Sequence, residues 1–275
     1  MTPARFTPAC FTTAYFTADR DGYTPTELAR GPWGASVSGT VVGGLLGHVA
    51  ECAVADPGLL PARLTVDLLR PVALAPVTAA AAIRRDGRRI RAADVELHQG
   101  GQLAARATVL FARPGAAPPG RVWTPRQAMP PLPHHGWDRT DPPFEMWACH
   151  AGGACGRETE WEQDEFRKFG WIREIHPLVE GVPLTPFVRA AMAADVTSAV
   201  TNWGTAGLRF INADFTLSLV RLPAGEYIGL ASDGHIGHAG LASGSATMFD
   251  EQGPIGHTVV TALAQPGMAF RPERS

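Results

Sequence analysis

The stretch Phe210–Leu222, FINADFTLSLVRL, decides how the rest of the chain is read. At period two, Ile211, Phe215, Leu217 and Leu219 fall on one face, and Asn212, Asp214, Thr216 and Ser218 on the other. That alternation predicts a half-buried β-strand whose polar face meets solvent or lines a cavity. An earlier stretch, Arg63–Pro71 (RLTVDLLRP), is a worn copy of it.

Around each copy the neighbours come in the same order. An apolar segment rich in small residues precedes the strand, Ser38–Val54 in the first half and Thr185–Val200 in the second. Two β-like runs follow, joined by a Gly-bearing turn. They are Arg88–His98 and Leu103–Ala112 around Gln99-Gly100-Gly101-Gln102, then Gly240–Phe249 and Ile255–Ala264 around Asp250-Glu251-Gln252-Gly253. A repeat this long is no solenoid and predicts a duplicated domain. Between the halves, Pro114–Pro143 is too rich in proline for helix or inner strand and reads as a linker or strap. The divisions are therefore 1–113, 114–143 and 144–275.

SGTVVGGLLGHVAECAV is helical by length, with Ser38 as N-cap. Gly39, Gly43, Gly44 and Gly47 weaken it by up to about 1 kcal/mol each relative to alanine. That cost fits a helix whose backbone another element must approach closely. Thr185-Pro186 starts the second helix with a cap and a first-turn proline, and Ala190, Ala191, Ala193 and Ala194 repeat the small-residue character. Helix followed by antiparallel strands is an α+β pattern. A curved sheet wrapped round one central helix is the hotdog arrangement, and two copies make a double hotdog. Phe11–Ala18 reads as a first strand. In Phe144–Ile175, the acidic Glu158, Glu160, Glu162, Asp164 and Glu165 interleave with Trp161, Phe166, Phe169 and Trp171, which reads as a solvated face with a few packed rings.

Composition narrows the function. The chain has 275 residues, 45% hydrophobic, enough for a sizeable core. A net charge of -2, from 24 basic and 26 acidic residues without long runs of either sign, gives no footprint for nucleic acid or an anionic membrane. Apolar runs are cut by Gly, Pro, Arg or Asp before they reach a membrane span. The start, MTPARFTPACFTT, lacks a charged-then-apolar signal pattern, so a cytoplasmic location is expected. Four cysteines in this length make no disulfide framework. Hotdog units pair edge to edge and a double unit already contains one such pair, so a further homo-oligomer is optional.

GPWG, a small-residue helix and RLTVDLLRPVALAPV, followed by paired strands, resemble the N-terminal half of the bacterial double-hotdog acyl-CoA thioesterase family. HPLVEGVPLTPFVRAAMAADV, INADFTLSLVRLPAGEYIGL and FDEQGPIGHTVVTAL resemble its C-terminal half. The resemblance implies hydrolysis of an acyl thioester, on CoA or a carrier protein. An Asp, a Thr or Ser, and a Gln would position water, with no metal or organic cofactor. Carried over, the Asp falls on Asp214. The hydroxyl residue falls near Ser232, Asp233 and His235, where no Thr stands. The Gln falls on Val260, which has no side-chain hydrogen-bonding group. Ser38-Gly39-Thr40 replaces a His-Gly-Gly common at the start of the first helix in relatives.

The residues themselves leave alternatives open. Asp214 either holds a water for attack on the thioester or is a solvated strand carboxylate. His235 and His238 offer a base titrating near neutrality or are turn residues, and His257 stands likewise. Asp195, inside an apolar helix, needs a partner: it faces a substrate pocket or pairs with a neighbouring backbone group. Trp33, Ser38, Gly39 and Thr40 are candidate substrate contacts, the helix-start amides serving as oxyanion donors. His48 reads as a packed core histidine. Cys149-His150 with Cys155 lacks a fourth ligand at metal spacing. The rival functions are a dehydratase, isomerase or cyclase on the same fold, and a non-catalytic acyl or small-molecule binding module.

Overall fold

The structure, a computed structural model, describes residues 14–124, 127–132, 144–153, 155–267 and 270. A short hairpin, β1 (Phe16–Asp19) and β2 (Gly22–Pro25), leads to helix α1 (Gly39–Val54). Four strands follow: β3 (Leu60–Leu68), β4 (Thr78–Asp86), β5 (Ile90–Gln99) and β6 (Gln102–Ala112). After the proline-rich seam come β7 (Glu145–His150), β8 (Cys155–Gly156) and β9 (Lys168–Arg173), then α2 (Pro186–Asp195) and α3 (Thr197–Asn202). The chain closes with the two-residue β10 (Trp203–Gly204) and β11 (Gly207–Leu208), then β12 (Phe210–Asn212), β13 (Asp214–Leu219), β14 (Tyr227–His238), β15 (Leu241–Asp250) and β16 (Gly253–Ala264).

One antiparallel sheet runs through both halves in the order β4-β5-β6-β3-β13-β16-β15-β14, continued by β9, β7 and β8. The order 4-5-6-3 is mirrored by 14-15-16-13 about the central β3–β13 pair. At its middle Thr65 pairs with Thr216, whose hydroxyl donates to that of Thr65 at 3.0 Å. Each half also carries one extra residue at the same place. Ala62 lies in the register shift of β3 against β6, and Ala213 lies between β12 and β13 where both pair with β16. Both stand three residues before the central threonine. This is the double hotdog: a curved sheet around two packed helices, with the main core between them.

The glycines of α1 mark the close approaches. A Cβ on Gly43 would collide with the Phe215 ring, and one on Gly44 would meet Met192 at 2.6 Å. Burial of Phe215 and Met192 against bare backbone is worth about 1.5–3 kcal/mol per side chain. That offsets the glycine cost in helix propensity.

Four expectations need correction. The apolar run Thr185–Val200 is two helices, because the chain breaks step at Val196. Phe144–Ile175 contributes three strands to the sheet and buries Trp161, Phe169 and Trp171. Its two longer strands are buried on both faces, so they carry no alternation to read. Cys149 and Cys155 form a disulfide across β7 and β8. The stretch holding His235 and His238 is strand β14, not a turn. Of the predicted first strand, Phe11 to Thr13 lie outside the described residues, and β1 begins at Phe16.

The described part of the seam crosses the outer face of the second half. Met129 and Leu132 pack on a cluster of Trp147, Cys149, Phe169, Trp171, Ala231 and Phe249, and Trp171 Nε1 donates to the Pro130 carbonyl at 2.8 Å. Among the described residues no helix is long and apolar enough to cross a membrane.

Candidate active site

The site is assembled where α2 ends against the start of α1. Asp195, the last residue of α2, places its carboxylate over the first turn of α1. Thr40 Oγ1 donates to Asp195 Oδ2 at 3.1 Å, and the Thr40 backbone amide donates to the same carboxylate. Asn212 Nδ2 donates to Asp195 Oδ1 at 2.8 Å. A Cβ on Gly39 would stand 2.5 Å from Asp195 Oδ1, so only glycine admits the acid there. Burial raises the Asp195 pKa above the ordinary aspartate value, and the bonds from Asn212 and Thr40 oppose that shift without cancelling it. Ser38 sits at the N-cap, but its side chain makes no capping bond; the acid from the other helix serves that turn instead.

Asn212 reaches Asp195 because the strand slips phase at Ala213. The Ala213 amide bonds Thr261 on β16, while its carbonyl accepts from Leu68 on β3. The orphaned Thr261 amide is taken by Asp214, whose Oδ1 accepts it at 2.6 Å. Asn212 therefore shares the helix-facing side with Phe215 and Leu217, contrary to strict alternation. Asp214, the candidate for holding the attacking water, instead completes the hydrogen-bond ladder, with the Thr261 hydroxyl 3.4 Å from its second oxygen.

The other predicted residues divide between the two faces of the sheet. Asp233 sits at a bulge between Ser232 and Gly234. It is tied to Arg167 at 2.8 Å, Thr247 at 2.9 Å and Gln127 of the seam at 3.1 Å, all on the outer side. Ser232 pairs with the buried Ala246 and gives its carbonyl to Arg167. His235 faces the helices: its Nδ1 lies 2.8 Å from Asn202 Oδ1 at the end of α3. Trp33 packs partly buried at the core margin. Val260 is buried on β16, whose neighbouring helix-facing residues are Thr258 and Ala262. Asn212 is the functional candidate that period-two reading missed. The signal was present as a polar residue two positions before Asp214, assigned to the wrong face.

A second buried acid lies outside this site. Glu174, 4% exposed, accepts from the Tyr15 hydroxyl at 2.8 Å. Burial pushes its pKa up to about 7 against the opposing effects of Tyr15 and Arg189.

Residues 29–112 match a family model described as the acyl-CoA thioesterase N-terminal domain, and 114–263 match its C-terminal counterpart. Among solved structures, the acyl-CoA thioesterase II TesB2 of Mycobacterium marinum is similar at 18% identity and TM-score 0.59, over 84% of this chain and 91% of that one. A protein of unknown function with a hot dog fold from Alicyclobacillus acidocaldarius matches at 15% identity and TM-score 0.64, over 89% and 92%. The tesB protein of Mycobacterium avium subsp. paratuberculosis matches at 17% identity and TM-score 0.60, over 84% and 88%. At these identities the structures speak for the fold. No curated protein matches the sequence at a significant level.

Proposed function

Because the chain belongs to the acyl-CoA thioesterase family, we propose that it hydrolyses acyl-CoA with Asp195, rather than Asp214, as the carboxylate that activates water. What carries this reading is the bonding of Asp195 to Asn212 and Thr40 at the start of α1. A desolvated carboxylate with a raised pKa is a better base than a solvated one. Asp214 already spends its carboxylate on the Thr261 amide.

In the proposed cycle Asp195 takes a proton from water as the oxygen attacks the thioester carbonyl carbon. The tetrahedral intermediate collapses, the carbon–sulfur bond breaks, and the proton passes from Asp195 to the departing thiolate. Asn212 and Thr40 fix the acid's orientation, and the N-terminal field of α1 favours negative charge in this corner. The acyl chain enters the apolar space between sheet and helices. Val260 supplies no hydrogen bond, and Asn212 Nδ2 is spent on Asp195 and the Asp214 carbonyl, so the water is left to the Asp195 carboxylate and Asn212 Oδ1.

A second reading, a dehydratase, isomerase or cyclase on the same fold, draws on that apolar Val260. A panel of acyl-CoA esters with free-thiol detection separates the two. Hydrolysis by the wild type, abolished in D195N and kept in D214N variants that remain folded, is the expected result. Full turnover in D195N, or no thiol release from any ester, sinks the proposal.

A further inference from the structure

From Asp195, strand β12 and helix α3 both lead to one exposed imidazole. Asn212 and Phe210 are two residues apart on β12, whose helix-facing side holds Asn212, and the Phe210 ring meets His235 edge-on with centroids 5.7 Å apart. In parallel, α3 carries Ser198 and the buried Asn202 outward from Asp195. Asn202 Nδ2 donates to Ser198 Oγ at 3.4 Å, which turns its Oδ1 to His235 Nδ1 at 2.8 Å. The neutral ring therefore carries its proton on Nδ1 and leaves Nε2 as an acceptor. A Cβ on Gly237 would stand 2.8 Å from Nε2, and one on Gly234 would meet nothing within 4 Å. A solvent-exposed histidine is thus held in one orientation by an amide, an aromatic ring and a glycine.

We infer that His235 is a specificity-determining residue for the thiol half of the substrate, accepting a hydrogen bond from an amide N–H of the pantetheine arm. This rests on the hydrolase reading above. The acyl chain goes inward to the apolar core, so the polar thiol portion must leave toward solvent, the direction in which His235 lies. Two residues of strand, roughly 7 Å, and one ring contact at 5.7 Å join it to Asn212, so it lies within about 12 Å of that residue. A span near that limit passes the amide next to the sulfur and falls on the distal amide of the arm.

The test compares wild type with H235A and H235Q on one acyl group carried by CoA, by pantetheine and by N-acetylcysteamine, which keeps only the first amide. H235A should raise KM for the CoA and pantetheine esters roughly five- to tenfold, the worth of one hydrogen bond. It should leave kcat and the N-acetylcysteamine KM unchanged, and H235Q, which retains an acceptor, should recover part of the loss. An equal change on all three esters, a fall in kcat, or no change overturns the assignment. Calorimetric binding of free CoA to wild type and H235A tests it without turnover. A weaker Kd in the variant supports it even if no ester is hydrolysed, and an equal Kd refutes it.

Discussion

Each of the two central helices receives at its start an acid from the other, and the two starts are differently equipped. At the start of α1, Asp195 from α2 accepts from Thr40. At the start of α2, Glu51 from α1 accepts from Thr185 Oγ1 at 2.5 Å. Burial raises both acids, each against the bonds of its own threonine. Part of the difference lies in the strand alongside. One residue before the extra alanine stands Asn212 in the second half, a donor to Asp195, and Pro61 in the first, with no donor at all. A duplicated scaffold supplies two acids on two helix starts, and of the two Asp195 also receives a side-chain amide.

That contrast can be broken experimentally, and the largest effect belongs to Asp195. D195N should lower kcat/KM by roughly a hundred- to ten-thousand-fold, measured by thiol release, while thermal stability holds or rises. The proposed mechanism uses Asp195 ionised, so the wild-type profile should climb with pH through a pKa above the ordinary aspartate range. An acid limb at the ordinary value would break the link between burial and chemistry.

Next comes the acid at neither helix start. Glu174 titrates at about 7 in the folded chain, against an ordinary value of 4.5 once unfolding returns it to water. Between those values the folded chain keeps a proton the unfolded chain has lost. Its contribution is fully present below 4.5 and declines until pH 7, by about 3 kcal/mol. E174Q should flatten that decline in urea melts at several pH values, with kcat/KM unchanged. An unaltered slope would assign the pH dependence elsewhere.

N212A should cost roughly tenfold in kcat/KM, the value of one hydrogen bond to a charged group, about 1.5 kcal/mol. T185A should cost stability alone, about 1 kcal/mol for a lost cap, since Thr185 Oγ1 also accepts the Val188 amide. Smallest of all, E51Q should change kcat/KM by less than about twofold. A large loss there would mean that both helix starts catalyse, and the comparison would fail.

The fold was legible because its signals are local and repeated. The alternation in FTLSL, the glycines of α1 and the cap at Thr185-Pro186 each act within a few residues. The twofold order of helix, strand and hairpin reinforced them. The strands around Trp147 and Trp171 escaped notice because both their faces are covered, one by the helices and one by the seam, so no polar face alternates.

By itself the sequence determined a duplicated α+β domain, the helix that must be approached closely, and an acid in an apolar helix that needed partners. The tertiary structure decided which acid those partners serve. One extra residue at Ala213 turns Asn212 inward and sends Asp214 to the ladder, and a phase slip of one residue leaves no mark on hydrophobic period. Thr40 and Asp195 are 155 positions apart in the chain, and only the antiparallel packing of α1 on α2 brings the hydroxyl to the carboxylate.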